Sequence, residues 1–255
     1  MAVVYAHRGG SKLRPENTIA AFDHGLALGA TGLEFDVHLS RDGIVVVHHD
    51  RTLDRTTSGR GPLATLTADE LSRLDAGAHF PGFAGAAGGV PTLRDVLRRY
   101  PSARMLIELK LNDPVLAHKT IDEVRAADAI DRVSLGSFGT GVLRAARAYE
   151  PRIPTGSSRE ETRLFLYRSW IRWPVRRPPY REFQVPELAG STRVISPRFV
   201  RYAHEANCPV KVWTVDEESD MRRLLSWDVD AIISDRPDIA VQVVGGRGRG
   251  AGSEG

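Results

Sequence analysis

The sequence predicts an α/β protein with the fold of a TIM (β/α)8 barrel. Short segments rich in β-branched residues alternate with amphipathic helical segments from one end of the chain to the other. Eight strand-then-helix units in about 240 residues favour a closed barrel over an open doubly wound sheet. The chain of 255 residues is long enough for one such domain, which we assign to residues 1–244.

Each predicted strand is short and apolar and is followed by a predicted helix. The strands comprise residues 3–6, 33–37, 104–109, 132–136, 153–156, 193–196, 210–214 and 231–234. The helices comprise residues 16–28, 92–99, 114–127, 140–149, 159–167, 197–206 and 217–227, with an eighth in the segment RPDIAVQVV. The glycine-rich tail 245–255 lacks a recurring apolar pattern, and we expect it to be disordered.

The first strand ends in His7-Arg8, which Gly9-Gly10 follows directly. Glycine carries no side chain and would let the backbone approach a ligand closely. In TIM barrels the active site lies at the C-terminal ends of the strands. The sequence therefore places His7 and Arg8 on the face where a site is expected.

The second strand, GLEFDVHL, alternates between apolar and ionisable residues. Residues at i and i+2 of a barrel strand share one face, so Leu33, Phe35 and Val37 would pack against the helices. Glu34 and Asp36 would then face the barrel interior. Two buried carboxylates without partners would each cost several kcal/mol, so something must neutralise them.

The chain then departs from simple alternation. Asp42-Gly43 is a favourable two-residue turn, so the run of valines after it should return antiparallel to the second strand and end in His48-His49-Asp50. An insertion of about residues 54–91 follows. It would lie over the C-terminal face as a lid or rim. Thr92 has the position of an N-cap for the next helix.

The third predicted strand, in MLIELKLND, supplies Glu108 and Lys110. Glu108 is a third inward carboxylate, and oxygen ligands suit one divalent cation, Mg²⁺ or Ca²⁺, better than zinc. The alternative is that Glu34 and Asp36 only form ion pairs with Arg8 and Lys110. Two histidines, an Arg–Lys pair and a carboxylate-bound cation would together suit hydrolysis of a phosphodiester.

The segment from AHRGG to SGRG resembles the N-terminal half of the glycerophosphodiester phosphodiesterase family. The resemblance continues through PTLRDVL, LIELK, GSFG, VKVWTVD and VDAIISDRPD, in order and over nearly the whole chain. It implies a TIM barrel with a small insertion after the second strand. It also implies that the enzyme cleaves a glycerophosphodiester to glycerol 3-phosphate and an alcohol.

The resemblance also implies a role for each of eight residues. His7 and His49 would be the catalytic acid–base pair, and His49 rather than His48 is chosen because it precedes an aspartate. The implied metal ligands are Glu34, Asp36 and Glu108. The implied substrate- and phosphate-binding residues are Arg8, Lys110 and Trp213.

Two other functions stay open at this point. A lysophospholipase D acting on single-chain lysophospholipids is favoured if the aromatic–arginine segment 164–187 contacts acyl chains. A catalytically silent lipid- or phosphate-binding relative is the alternative outside enzymes. The same segment could contact a membrane peripherally through anionic headgroups, or it could pack its aromatic residues on the barrel.

The composition also bears on nucleic-acid binding, disulfide bonds and location in the cell. The net charge of +3 is too small to indicate nucleic-acid binding. The single cysteine, Cys208, excludes an internal disulfide, and we expect a buried, inert thiol. The start of the chain lacks the features of a secretory signal, and no apolar run approaches the roughly 20 residues of a membrane span. We therefore expect a cytoplasmic protein.

Overall fold

The computed structural model describes residues 2–173 and 177–250, and it contains ten strands and nine α-helices within those ranges. The strands are β1 Val3–His7, β2 Gly32–Leu39, β3 Val45–Val47, β4 Arg104–Leu109, β5 Val133–Gly136, β6 Phe183–Pro186, β7 Leu188–Ala189, β8 Thr192–Arg193, β9 Val210–Trp213 and β10 Ala231–Ser234. The helices are α1 Ile19–Ala27, α2 Ala68–Ser72, α3 Leu93–Arg99, α4 Pro114–Ala126, α5 Thr140–Tyr149, α6 Arg159–Ile171, α7 Pro197–Glu205, α8 Glu218–Ser226 and α9 Pro237–Gly250.

Seven parallel strands form a nearly closed barrel in the order β5-β4-β2-β1-β10-β9-β6. The gap between β5 and β6 is bridged by a short extended segment. Thr155 pairs with Leu135 of β5, and Gly156 pairs with Glu182 just before β6, each through an isolated parallel bridge. The predicted TIM barrel is confirmed, although the predicted strand at 153–156 is reduced to these two bridges.

The apolar side chains of β2 lie on the outside of the barrel, as its alternation predicted. Leu33, Phe35 and Val37 are fully buried in the main core between the strands and the helices. A smaller apolar cluster, formed by Tyr5, Leu106, Ala231 and Ile233, contains residues of β1, β4 and β10. The opposite face of β2 is thereby left for Glu34 and Asp36.

Side-chain caps set several helix starts. The predicted first helix began at residue 16, but α1 begins at Ile19, because Asn17 has a left-handed backbone (φ 58°) and the Thr18 hydroxyl accepts a hydrogen bond from the Ala21 N–H. Thr92 caps α3 as predicted and accepts from the Asp95 N–H. These caps fix where the preceding loops leave the barrel face.

The predicted hairpin after β2 is present, with Val37 paired to Val47 in an antiparallel ladder and Gly43 at φ 72° in the turn. The insertion that follows has its own small apolar cluster, which includes Leu63, Leu71 and Val90. Val46 of β3 belongs to the same cluster. The insertion is therefore anchored to the hairpin that carries His49.

The predicted sixth strand at 193–196 is wrong. Thr192–Arg193 pairs only with Leu188–Ala189, and the barrel strand at this place is Phe183–Pro186, which pairs with β9. In β6 the buried Phe183 and Val185 alternate with less buried neighbours, which is a strand pattern within the aromatic–arginine segment 164–187. Ser196 instead caps α7.

The glycine pair after β1 has a packing role besides the close approach to a ligand that the sequence predicts. Gly9 and Gly10 both have positive φ, and a Cβ at Gly9 would lie 2.6 Å from the Ala21 Cβ. A Cβ at Gly10 would lie 2.9 Å from Pro237. Close packing on α1 and α9 therefore requires glycine here, whatever ligand binds.

Three further expectations concern the ends and the core. Helix α9 continues to Gly250, so residues 245–250 of the tail that was expected to be disordered are helical. Extending an existing helix needs no new nucleus. Residues 251–255 lie outside the described residues. Cys208 is buried as predicted, and burial raises the pKa of its thiol to about 11. Within the described ranges, none of the helices has the length and apolar character needed to span a bilayer.

Candidate active site

A cavity of about 780 Å³ opens at the C-terminal ends of the barrel strands. Every predicted site residue except Asp36 lines it, and Asp36 contacts two of the lining side chains. The lining site residues are His7, Arg8, Glu34, His49, Glu108, Lys110 and Trp213. Residues that are far apart in sequence meet here because β1, β2, β4 and β9 all end at this face.

Three carboxylates converge at the base of this cavity. Asp36 of β2 pairs in register with Glu108 of β4, and Glu34 lies two residues before Asp36 on the same face. One oxygen from each of the three carboxylates lies within 4.8 Å of the other two. Asp36 and Glu34 are buried. This cluster could hold a metal ion, because three converging carboxylate oxygens are a donor set suited to a hard divalent cation.

Two cations approach the carboxylate cluster and pair with two of its three members, Asp36 and Glu108. Lys110 Nζ lies 3.4 Å from Asp36 Oδ1 and 3.1 Å from Glu108 Oε1. Arg8 Nε lies 3.4 Å from Asp36 Oδ2. Glu34 accepts a hydrogen bond from the Arg8 backbone N–H at 3.2 Å and, among the described residues, has no Lys or Arg side chain paired with it. Ion pairing with Lys110 and Arg8 therefore accounts for Asp36 but leaves Glu34 without a Lys or Arg partner among the described residues.

The pKa values of the cluster reflect this uneven pairing. Burial raises the pKa of Glu34 to about 8, which His7 opposes and the nearby Asp36 and Glu108 carboxylates reinforce. Burial and the Asp36 charge likewise raise the pKa of Glu108. Burial would also raise the pKa of Asp36, but Lys110 and Arg8 hold it below its usual value. Three carboxylates facing two cations fit a site that gains a divalent cation.

His7 is held by a carboxylate from the other end of the chain. Its Nδ1 lies 2.5 Å from Asp235 Oδ1, which also accepts a hydrogen bond from the Ser11 hydroxyl at 2.6 Å. Its Nε2 faces Glu34 Oε2 at 3.7 Å. Burial lowers the pKa of His7, but Glu34 and Asp235 raise it, and the net shift is upward. The imidazole orientation is therefore fixed while Nε2 stays on the cavity side.

His49 is held in a comparable way, by its sequence neighbour. Its Nδ1 lies 2.6 Å from Asp50 Oδ1, as expected if Asp50 orients it. Buried His38 donates from Nε2 to the His49 carbonyl at 3.0 Å. His48 turns to the Thr52 carbonyl instead, so His49 is the histidine of this pair that lines the cavity. Burial lowers the pKa of His49 despite the Asp36 charge.

Arg55, from the insertion, connects the two sides of the site. Its Nε donates to Asp50 Oδ2 at 2.6 Å, and its Nη1 and Nη2 donate to the Glu16 carboxylate at 2.8 and 2.7 Å. Glu16 in turn accepts from Arg8 Nη1 at 2.9 Å. One guanidinium thus orients both the aspartate behind His49 and the glutamate behind Arg8.

We expect Arg55→Ala to lower kcat/KM for the enzyme's substrate by about 10- to 100-fold, because His49 and Arg8 would both lose their fixed orientation. Steady-state kinetics would measure this loss. Arg55→Lys keeps the charge without the forked contacts and should recover only part of the activity.

The matched control is Arg60→Ala, which removes an exposed arginine from the same insertion. It should leave kcat/KM unchanged. Equal activity of Arg55→Ala and Arg60→Ala would contradict the orienting role. A fall in activity accompanied by a large drop in melting temperature would indicate a merely structural contact.

Trp213 lies at the end of β9 and lines the cavity while also packing on the interior apolar cluster. Its ring meets Phe138 edge to face, with centroids 5.8 Å apart. The guanidinium of Arg159 lies over the Phe138 ring, 5.1 Å from its centroid. The two aromatic rings give the cavity an apolar patch among its charged residues.

Sequence reasoning missed two residues that shape the site. Asp235 lies within the family-like segment VDAIISDRPD but was given no role there, and Arg55 was not singled out. A strand-end aspartate in SDRPD was the available signal for Asp235, because β10 lies beside β1 in a closed barrel. No comparable signal existed for Arg55, whose contacts depend on how the insertion folds back.

Comparisons with known proteins identify the family to which the chain is similar. The model of the glycerophosphoryl diester phosphodiesterase family matches residues 7–239. A glycerophosphodiester phosphodiesterase of Caldanaerobacter subterraneus is 33% identical over 251 residues, covering 95% of this chain and 97% of that protein. A lysophospholipase D of Mus musculus is 29% identical over 259 residues, covering 91% and 78%.

One solved structure that is similar to this chain contains a bound reaction product. The chain is 27% identical to an Oleispira antarctica phosphodiesterase whose structure was determined in complex with the product sn-glycerol-3-phosphate, with a TM-score of 0.78 and coverage of 95% of this chain and 96% of that one.

Proposed function

The chain belongs to the glycerophosphoryl diester phosphodiesterase family, and from that premise we propose that it hydrolyses glycerophosphodiesters to glycerol 3-phosphate and an alcohol. The observation that carries the proposal is the convergence of the three-carboxylate cluster, two oriented histidines and two cations in one cavity. The similar Oleispira antarctica phosphodiesterase, whose structure is in complex with the product sn-glycerol-3-phosphate, supports the same product here.

Glu34, Asp36 and Glu108 would hold one divalent cation, Mg²⁺ or Ca²⁺, through carboxylate oxygens. A cation bound there supplies positive charge to the phosphoryl oxygens. Arg8 and Lys110 border the same cluster and add two fixed positive charges. Together these groups would offset the negative charge that develops on the phosphodiester during displacement.

His7 and His49 would carry the protons. Each imidazole has Nδ1 occupied by an aspartate, Asp235 or Asp50, which leaves Nε2 available for proton transfer. One histidine takes the proton of the attacking hydroxyl while the other donates a proton to the departing alcohol oxygen. If the neighbouring glycerol hydroxyl attacks first, a cyclic phosphate forms, and water opens it with the two roles reversed.

Hydrolysis of lysophospholipids, a lysophospholipase D activity, is the second candidate. The lining of the cavity favours it, because Leu166, Tyr167, Trp170, Val185 and Leu188 all contribute apolar side chains to it. Such a wall offers an acyl chain far more apolar contact than a free glycerophosphodiester can use. The relative named lysophospholipase D supports the same reading.

A substrate panel tests these proposals together. Glycerophosphocholine, glycerophosphoethanolamine and lysophosphatidylcholine would each be offered with chelator, Mg²⁺ or Ca²⁺, and the products separated by mass spectrometry. We expect glycerol 3-phosphate or lysophosphatidate, formed only with a cation. Release of choline phosphate would show that the wrong P–O bond was assigned. Binding without turnover of any substrate would indicate a silent lipid- or phosphate-binding relative.

A further inference from the structure

Helix α6 and the residues just after it expose apolar side chains to an unusual degree. The large hydrophobic side chains of Leu164, Tyr167, Trp170, Ile171 and Trp173 are each at least 50% exposed. We refer to these five residues, together with Arg163, Arg168 and Arg172, as the aromatic–arginine face. With Leu188, they account for six of the ten exposed large hydrophobic residues in the described chain.

Helix α6 does have a side that faces the core, so the exposed apolar side chains are additional to the buried ones. Phe165, Leu166 and Ser169 are buried, and Phe165 packs against Phe183 and Phe199 with ring centroids 4.4 and 5.1 Å apart. The helix is therefore apolar on its inner side and again on its outer side. A helix that faces only water carries polar residues outward, so this outer side indicates a second apolar contact.

The charge of the segment indicates the kind of surface that it contacts. Residues 159–181 contain seven arginines and two glutamates. Glu161 is already paired with Arg147 inside the fold. Arg163, Arg168 and Arg172 form no ion pair with any described residue. Uncompensated arginines among exposed aromatic residues suit an anionic partner.

A bilayer with anionic headgroups fits this combination better than a second copy of the chain. Tryptophan and tyrosine prefer the interface between headgroups and hydrocarbon, and nearby arginines gain from anionic lipid. A symmetric dimer through this face would instead bring the same arginines of both copies together. The charge complementarity therefore favours the membrane surface.

The aromatic–arginine face is also continuous with the cavity. Arg163, Tyr167 and Trp170 line the cavity, and so do Leu188 and Gly190 of the β7–β8 hairpin beside them. We propose that the aromatic–arginine face binds anionic phospholipid bilayers and places the cavity mouth at the headgroup layer. A lysophospholipid could then pass from the bilayer into the cavity; this second step rests on the proposed function, whereas the membrane binding does not.

Vesicle sedimentation tests the binding step without any turnover. The full chain would be mixed with phosphatidylcholine vesicles with and without phosphatidylglycerol, at low and at high NaCl. We expect binding to the vesicles containing phosphatidylglycerol, weak binding to phosphatidylcholine alone, and a marked loss at high salt. Absence of binding to the anionic vesicles would overturn the proposal.

Variants locate the binding surface. Ile171→Ser combined with Trp173→Ser should weaken binding to anionic vesicles at least about tenfold, because two apolar side chains no longer enter the interface. Ile44→Ser with Val115→Ser removes two exposed apolar side chains elsewhere and should bind like the parent. Arg168→Gln with Arg172→Gln should reduce both the preference for phosphatidylglycerol and the salt dependence.

Two further readouts separate the possible causes of failure. None of the substituted residues lines the cavity, so hydrolysis of soluble glycerophosphocholine should be the same in the parent and in all three double variants. Vesicle binding without any hydrolysis would overturn the proposed function and leave the membrane proposal standing. A dimer that forms in solution and is lost in the Ile171–Trp173 variant would show that a second copy covers this face, which would overturn the membrane proposal.

Discussion

Replacement of His7 by alanine is expected to lower kcat for glycerophosphodiester hydrolysis by about 10²–10⁴-fold, because a positioned acid–base group would be lost. His7 is oriented by Asp235 through Nδ1 and presents Nε2 beside Glu34, at the cation cluster. The substitution keeps all three carboxylates and removes only the imidazole that faces Glu34. Substrate binding should change much less than kcat, so kcat and KM should be measured separately by steady-state kinetics.

The matched control for this variant is His79→Ala, which removes an exposed histidine of the insertion. We expect full activity from it. Both variants should show the melting temperature and far-ultraviolet circular dichroism of the parent within small differences. Hydrolysis at the parental rate by folded His7→Ala would eliminate His7 from proton transfer.

Substitution of Glu34 by glutamine should abolish tight binding of the divalent cation. We expect the affinity for Mg²⁺ or Ca²⁺ to fall by at least about 100-fold, the upper end of what loss of outer contacts alone costs a metal site. Glu34 is chosen because its side chain makes no ion pair with Lys110 or Arg8, so the change leaves those cations partnered by Asp36. Isothermal titration calorimetry would measure the affinity directly.

Hydrolysis by Glu34→Gln should fall in parallel and recover partly as the cation concentration rises. A thermal shift gives an independent readout, because a cation that binds only the folded state raises the melting temperature of the parent. That rise should be absent in Glu34→Gln at the same concentration. The exposed Glu205→Gln serves as control and should bind the cation like the parent. Unchanged affinity in Glu34→Gln would show that the cation does not bind at the cluster.

The sequence was sufficient to predict those features that depend on a strand's two-residue period. Glu34 and Asp36 could be placed inside the barrel because Leu33, Phe35 and Val37 needed an apolar neighbour on the other face. The same reasoning, applied to the next barrel strand, predicted that Glu108 also faces the barrel interior, near Glu34 and Asp36. Barrel geometry then supplied the common face, without any knowledge of the loops.

Features that depend on contacts across loops could not be predicted in this way. The strand Phe183–Pro186 lies in a segment whose arginines and prolines conceal the alternation of buried and exposed residues. The sequence therefore predicted the sixth barrel strand at residues 193–196 instead. Arg55 belongs to an insertion whose path is set by its own small core. The aromatic residues of α6 presented a similar difficulty, because sequence alone could not tell packing on the barrel from exposure. Phe165 is buried against the barrel, whereas Tyr167 and Trp170 are half exposed.

The contact between His7 and Asp235 joins positions separated by 228 residues, and it can form only where the first and the last barrel strands lie side by side. During synthesis on the ribosome, His7 would emerge long before Asp235, the aspartate that orients it. Catalytic competence should therefore appear late, when the final strand has been added and docked. Premature termination upstream of that strand should yield a polypeptide that has most of the site residues but no oriented His7.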